Sequence, residues 1–138
     1  MMAWLMGLTS ISPPDLQQCL ARHDAILVVD VNARASWLAS RVPGAVHLDP
    51  LAFEARDLPA DRRAPLVFYC SNPFCRKAPS AERRARQMGF TDVRVMSAGI
   101  AGWLDAGLPT ESGAPGSAAP PPSPSVLSAP RTSPSRPS

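Results

Sequence analysis

A chain of 138 residues, 45% hydrophobic and with a formal net charge of +3, has the length of a single domain with a core of its own. No run approaches the twenty apolar residues of a membrane-spanning helix, and three cysteines do not make the even framework of a secreted disulfide scaffold. The basic excess concentrates between residues 70 and 94, where Arg76, Lys77, Arg83, Arg84, Arg86 and Arg94 face only Glu82 and Asp92, without interleaved aromatics. That pattern disfavours nucleic-acid binding and suits a solvated helix face whose field would favour a small anion nearby.

The chain begins with apolar MMAWLMGL, which lacks a cationic leader and an evident cleavage site, so a soluble, cytoplasmic protein with no membrane association is expected. Ser12-Pro13-Pro14-Asp15 opens a helix to about Arg22, with Ser12 as N-cap, Pro13 at the first helical position and Asp15 in the first turn. ILVVD, 26–30, is a short apolar run ending in a carboxylate, the pattern of a parallel strand buried on both faces. LVFYC, 66–70, is a second such run and DVRVM, 92–96, a third. Helices are expected at 33–39, 50–56 and 77–88. In the last, Ala78, Ala81, Ala85 and Met88 form a narrow apolar stripe opposite Arg83, Arg84 and Arg86, and Gly89 supplies the stop. Strands alternating with helices at this spacing indicate an α/β domain with a mostly parallel sheet over residues 1–110. Residues 111–138 contain eight Pro and eight Ser, with Val126 and Leu127 as the large aliphatics. Such a segment cannot offset its ordering entropy and is expected to be a disordered tail.

Ligands of open parallel sheets sit beyond the carboxyl ends of the strands. Cys70 ends the second strand and a helix starts a few residues later, so the intervening segment would curl over the thiol with its N–H groups inward. Such a nest, with the positive helix end and Arg76 and Lys77, would hold an anion and lower the thiol pKa. The competing reading is a buried cysteine acting as a small hydrophobe. Cys75 reads either as a packed cysteine at the helix start or as a second thiol able to attack a persulfide or sulfenic acid on Cys70. His23 and His47 lack companions at metal-ligand spacing, so no metal is expected. Cys19 reads as core, and Arg94 and Asp105 as surface. Asp30 reads as an acceptor of backbone hydrogen bonds at its strand end.

ILVVDV at 26–31, VPGAVHLD at 42–49, the Cys70 loop and MSAGIAGWLDAGLPTE at 96–111 occur in the order of the blocks of a rhodanese-like domain, which this sequence resembles over roughly residues 9–111. The resemblance implies a sheet of about five mostly parallel strands with helices on both faces, and an aromatic, Trp103, packed against the sheet. It further implies sulfur transfer: Cys70 would take sulfane sulfur from thiosulfate or a similar donor, carry it as a persulfide, and pass it to cyanide or a thiol. Ser71, Asn72, Phe74, Cys75, Arg76 and Lys77 would bind the substrate. The partners implied are a small anionic sulfur donor and a small-molecule or protein thiol acceptor; no cofactor is implied.

The loop departs from the family pattern. Pro73 and Cys75 stand where Gly and Arg are typical, and Arg76 follows one place later. That Cys-five residues-Arg spacing matches rhodanese-fold phosphatases and arsenate reductases, so an oxyanion enzyme using Cys70 and Arg76 is the second expectation. Against it, Pro73 removes one potential N–H donor. Upstream, Asn32, Ser36 and Arg41 replace a typical Arg, Glu and His, weakening an ion pair that orders the site. A non-catalytic binding module is therefore the third expectation.

Overall fold

A computed structural model of the chain describes residues 9–22 and 24–114. The expectations for the apolar start, for His23 and for 115–138 lie outside the described residues. The elements are α1 (Pro13–Ala21), β1 (Leu27–Asp30), α2 (Arg34–Ala39), β2 (Val46–His47), β3 (Leu66–Tyr69), α3 (Lys77–Gln87), β4 (Val93–Val95) and α4 (Gly99–Asp105), with a 3₁₀ turn at Ala55–Asp57. Four strands form one parallel sheet in the order β2-β1-β3-β4. Beyond β4, Ser10 adds a single parallel bridge to Val95. Among the described residues, the fifth strand of the expected sheet is thus reduced to one bridged position.

Successive side chains of a strand point to opposite faces, and both faces of this sheet are covered. Val29, Leu66, Phe68, Val93 and Val95 pack with Ala78, Ala81 and Ala85 of α3 and with Phe53, Leu58 and Phe90. The methyl side chains of α3 let its axis lie close to the strands. Val28, Val67 and Tyr69 turn the other way, toward Leu16 of α1, Trp103 of α4, Val42 and Met96. Trp103 is fully buried there, as expected, and its Nε1 donates to the Pro109 carbonyl at 2.7 Å. Cys19 is buried in α1, whose first turn is capped by Ser12 Oγ accepting from the Asp15 amide at 3.2 Å.

The carboxyl ends of β1 and β3 are fastened by a buried network. Asp30 accepts from the Asn32 amide at 2.8 Å and from the Tyr69 hydroxyl at 2.8 Å, and that hydroxyl accepts from the Val42 amide at 3.1 Å. Burial raises the Asp30 pKa, opposed by those donors, and burial beside Asp30 raises that of Tyr69 as well. The phenol therefore stays protonated and keeps donating.

Three expectations need correction. The helix expected at 50–56 is absent. The Asp49 carbonyl accepts from Ala52 and Phe53 in a single turn, and Phe53 then dives into the core to stack on Phe68 at 5.7 Å. That direction is incompatible with a continued helix, and the chain resumes only as the short 3₁₀ turn. Arg94, expected on the surface, is 4% exposed, because β4 is paired on one side with β3 and flanked on the other by the Ser10 segment. Its Nε lies 3.5 Å from an Asp92 carboxylate oxygen. Finally, residues assigned by composition to the tail join the domain. Glu111 and Arg41 exchange backbone hydrogen bonds at 2.9 and 3.0 Å, and the Gly113 amide donates to the Leu38 carbonyl at 2.8 Å.

Candidate active site

Because side chains alternate along β3 and beyond, Cys70 shares the α3 face with Leu66 and Phe68. It lies just past the strand end, 3% exposed, beneath the start of α3. The first amides of a helix have no intrahelical acceptor, and a Ser, Thr, Asp or Asn cap normally takes one of them. Here Arg76 stands at the cap position and provides no such bond. The two thiols lie in the field of this uncapped end: the Ala78 and Ser71 amides act to lower the Cys70 pKa, and the Lys77 and Ser71 amides that of Cys75.

The segment between strand and helix is not the open nest expected from sequence. The Phe74 amide donates to Asn72 Oδ1 at 2.9 Å and the Cys75 amide to the Asn72 carbonyl at 3.1 Å, closing a tight turn at 72–75. With Pro73 lacking an N–H, those positions offer nothing to an anion above Cys70. The turn sets Cys75 beside Cys70, so that both line one small cavity and the two thiols influence each other's ionisation. Burial first, and then the Cys75 contact, push the Cys70 thiol up to about 11. Burial also pushes Cys75 upward, but the Cys70 hydrogen bond, the Lys77 and Ser71 amides and the Lys77 charge together hold it below the ordinary thiol value. The two ionisations are linked, burial and the neighbouring Cys75 disfavouring the Cys70 thiolate. This corrects the expectation of an independently acidic Cys70.

The floor of the loop is held from below by α4. The Ile100 amide donates to the Cys70 carbonyl at 2.9 Å and the Ala101 amide to the Ser71 carbonyl at 3.0 Å. Gly99 makes this possible: its φ is +68°, and a Cβ there would lie 2.6 Å from the Ser71 carbonyl carbon. Asn32 holds the loop from the side, accepting from Ser71 Oγ at 2.7 Å through its Oδ1, while its carbonyl accepts from His47 Nε2 at 2.7 Å. Thus Asn32, at the place of a typical Arg, orders the loop by neutral hydrogen bonds. Sequence reading missed Asn32, His47, Gly99 and Ile100 as supports. The Gly at the head of GIAGW was the available signal for the close approach.

A cavity of about 30 Å³ lies over the sulfurs, lined by Cys70, Asn72, Pro73, Cys75, Ala78 and Met96. A second, of about 360 Å³, is lined by Asn32, Arg34, His47, Asp49, Leu51 and Lys77. Of the residues expected to bind substrate, Asn72 and Cys75 line the first and Lys77 the second, and Ser71 contributes its amide. Phe74 is 89% exposed at the tip of the turn, and Arg76 is exposed; neither lines these cavities. The basic cluster is largely structural: Arg84 donates to the Phe53 carbonyl at 2.9 Å and Arg86 to that of Val93 at 2.7 Å.

A thiol at the carboxyl edge of a parallel sheet, held under a helix start, defines an α/β domain of the rhodanese type. The chain belongs to the rhodanese-like domain family, whose profile matches residues 12–106. It is 35% identical over 102 residues to an HTH-type transcriptional regulator of Mycobacterium tuberculosis, covering 71% of this chain and 44% of that one. It is 33% identical over 91 residues to the thiosulfate sulfurtransferase GlpE of Pseudomonas fluorescens, covering 66% of this chain and 81% of that one. The solution structure of a rhodanese-like domain from Anabaena superposes with a TM-score of 0.66 at 21% identity, covering 89% of this chain and 92% of that one. The chain spans about half the length of the regulator and of an uncharacterized Synechocystis relative. No helix among the described residues is long and apolar enough to cross a membrane.

Proposed function

We propose that this chain is a sulfurtransferase that carries sulfane sulfur as a persulfide on Cys70. The observation that carries the reading is a thiol at the end of β3 beneath a helix start without a side-chain cap, where the Ala78 and Ser71 amides act to lower its pKa. Those dipoles favour an anionic sulfur, whether thiolate or persulfide, and need no reorganisation as charge develops.

In the first step the Cys70 sulfur attacks the outer sulfur of thiosulfate while its proton passes to the neighbouring Cys75 thiolate. The sulfur–sulfur bond of the donor breaks and sulfite leaves with the electron pair. A thiol or cyanide then attacks the outer persulfide sulfur and restores Cys70. Arg34 and Lys77 around the larger cavity supply positive charge for an anionic donor. Space for a water or two over the sulfurs is less than thiosulfate needs, so entry requires the 72–75 turn to move outward. Three free cysteines suit a reducing compartment such as the cytoplasm. Nothing in the geometry favours the oxyanion reading, because Arg76 faces solvent rather than the cavity.

The test is thiocyanate formation from thiosulfate with cyanide in excess. Wild type is expected to turn over and Cys70→Ser to fall to background. Undiminished turnover in Cys70→Ser, or none in wild type with several sulfane donors, overturns the reading.

A further inference from the structure

We propose that Cys75 is the resolving thiol of the Cys70 persulfide, so that the pair releases the transferred sulfur as sulfide and closes to an internal disulfide. The proposal rests on the persulfide reading above and adds a substrate class to it, a dithiol reductant that reopens the pair.

The geometry carries the argument. Cys70 and Cys75 line the same cavity of about 30 Å³, where the added sulfur atom would lie. Cys75 is held there by the two hydrogen bonds to Asn72 that close the 72–75 turn, so its approach costs little further ordering. The Lys77 and Ser71 amides and the Lys77 charge favour its thiolate, the attacking form. An external thiol must first displace the turn, whereas Cys75 is inside it.

In the resolving step the Cys75 thiolate attacks the Cys70 Sγ. The bond between Cys70 Sγ and the outer sulfur breaks, and the outer sulfur leaves with the electron pair, taking a proton to become hydrosulfide. The two cysteines lose two electrons together as their sulfurs join, and the sulfane sulfur gains them. A dithiol then reduces the Cys70–Cys75 bond by thiol–disulfide exchange and becomes a disulfide itself. The net conversion is thiosulfate and a dithiol to sulfite, sulfide and a disulfide.

The experiment incubates the full chain with thiosulfate, without cyanide or reductant, and follows intact mass under non-reducing conditions together with sulfite and sulfide. Wild type is expected to lose two hydrogens and release one equivalent each of sulfite and sulfide. Cys75→Ser, and Cys75→Ala as a second variant, are expected to gain one sulfur atom, release sulfite and release no sulfide. Adding dithiothreitol should make sulfide production catalytic, and faster in wild type than in the Cys75 variants, where the dithiol itself must attack the outer persulfide sulfur. If wild type instead keeps the added sulfur and releases no sulfide, as the Cys75 variants do, the resolving role is overturned while the persulfide reading stands. If no form of the protein gains sulfur or releases sulfite, both fall.

Discussion

A thiol only 3% exposed cannot ionise cheaply, and Cys70 illustrates the consequence. Its nucleophilicity depends on its neighbour, because after burial it is Cys75 that raises the Cys70 pKa. Removing the partner therefore has a defined sign. In Cys75→Ser the raising influence of the neighbouring thiol disappears, so Cys70 should titrate below about 11 while the Ala78 and Ser71 amides remain. Iodoacetamide labelling followed by peptide mapping across alkaline pH reads this directly. Wild type should label at Cys75 before Cys70, and the variant should label Cys70 at lower pH than wild type does. A Cys70 midpoint that stays fixed or climbs would show that Cys75 does not raise the Cys70 pKa.

Elements rather than single residues decide where the loop lies. The start of α3 supplies amides from above, α4 supplies amides to the loop carbonyls from below, and the Asp30–Tyr69–Val42 network fixes the ends of β1 and β3. Gly99 is the point at which α4 and the loop touch. Gly99→Ala meets two penalties: about 1–3 kcal/mol for a non-glycine residue at positive φ, and roughly 1–3 kcal/mol for overlap with the Ser71 backbone. Gly107→Ala is the control, with φ at +72° and open space around its Cβ. Chemical denaturation should show the larger loss for Gly99→Ala, and its rate of sulfite release from thiosulfate should fall further than its stability predicts. Equal effects of the two substitutions would mean that the α4 contact does not position the loop.

At the scale of the whole molecule, the domain closes through a segment that composition alone sets outside it. Arg41 is buried, stacks its guanidinium 4.2 Å from the Trp37 ring centroid, donates to the Trp37 carbonyl at 3.1 Å and lies 3.8 Å from Glu111. Glu111 also accepts from the Gly44 amide at 2.9 Å. Truncation after Thr110 removes these partners and leaves the buried Arg41 with fewer, so it should cost about 1–3 kcal/mol of stability. Truncation after Ala114 keeps them and should show a higher midpoint in urea than the shorter form. Identical midpoints would show that the Arg41–Glu111 pairing is not needed. Pro and Ser density after residue 114 hid this boundary, because in composition Glu111, Ser112 and Gly113 resemble the Pro- and Ser-rich residues beyond them.

The apolar runs ILVVD and LVFYC, the alanine stripe of 77–88 and the Ser12-Pro13 cap were readable one residue at a time, since strand burial, helix periodicity and capping are local properties. They also fixed Cys70 at a strand end, a consequence of order along the chain. What the sequence could not reveal depended on chain segments far apart. Arg94 went inside because of its neighbours across the sheet, and Asn32 became a loop support because Ser71 came to meet it. The ionisation of Cys70 changed sign for the same reason. Its pKa is set by burial and by a second sulfur that a turn through Asn72 folds onto it, and proximity in space of that kind exists only once the chain has packed.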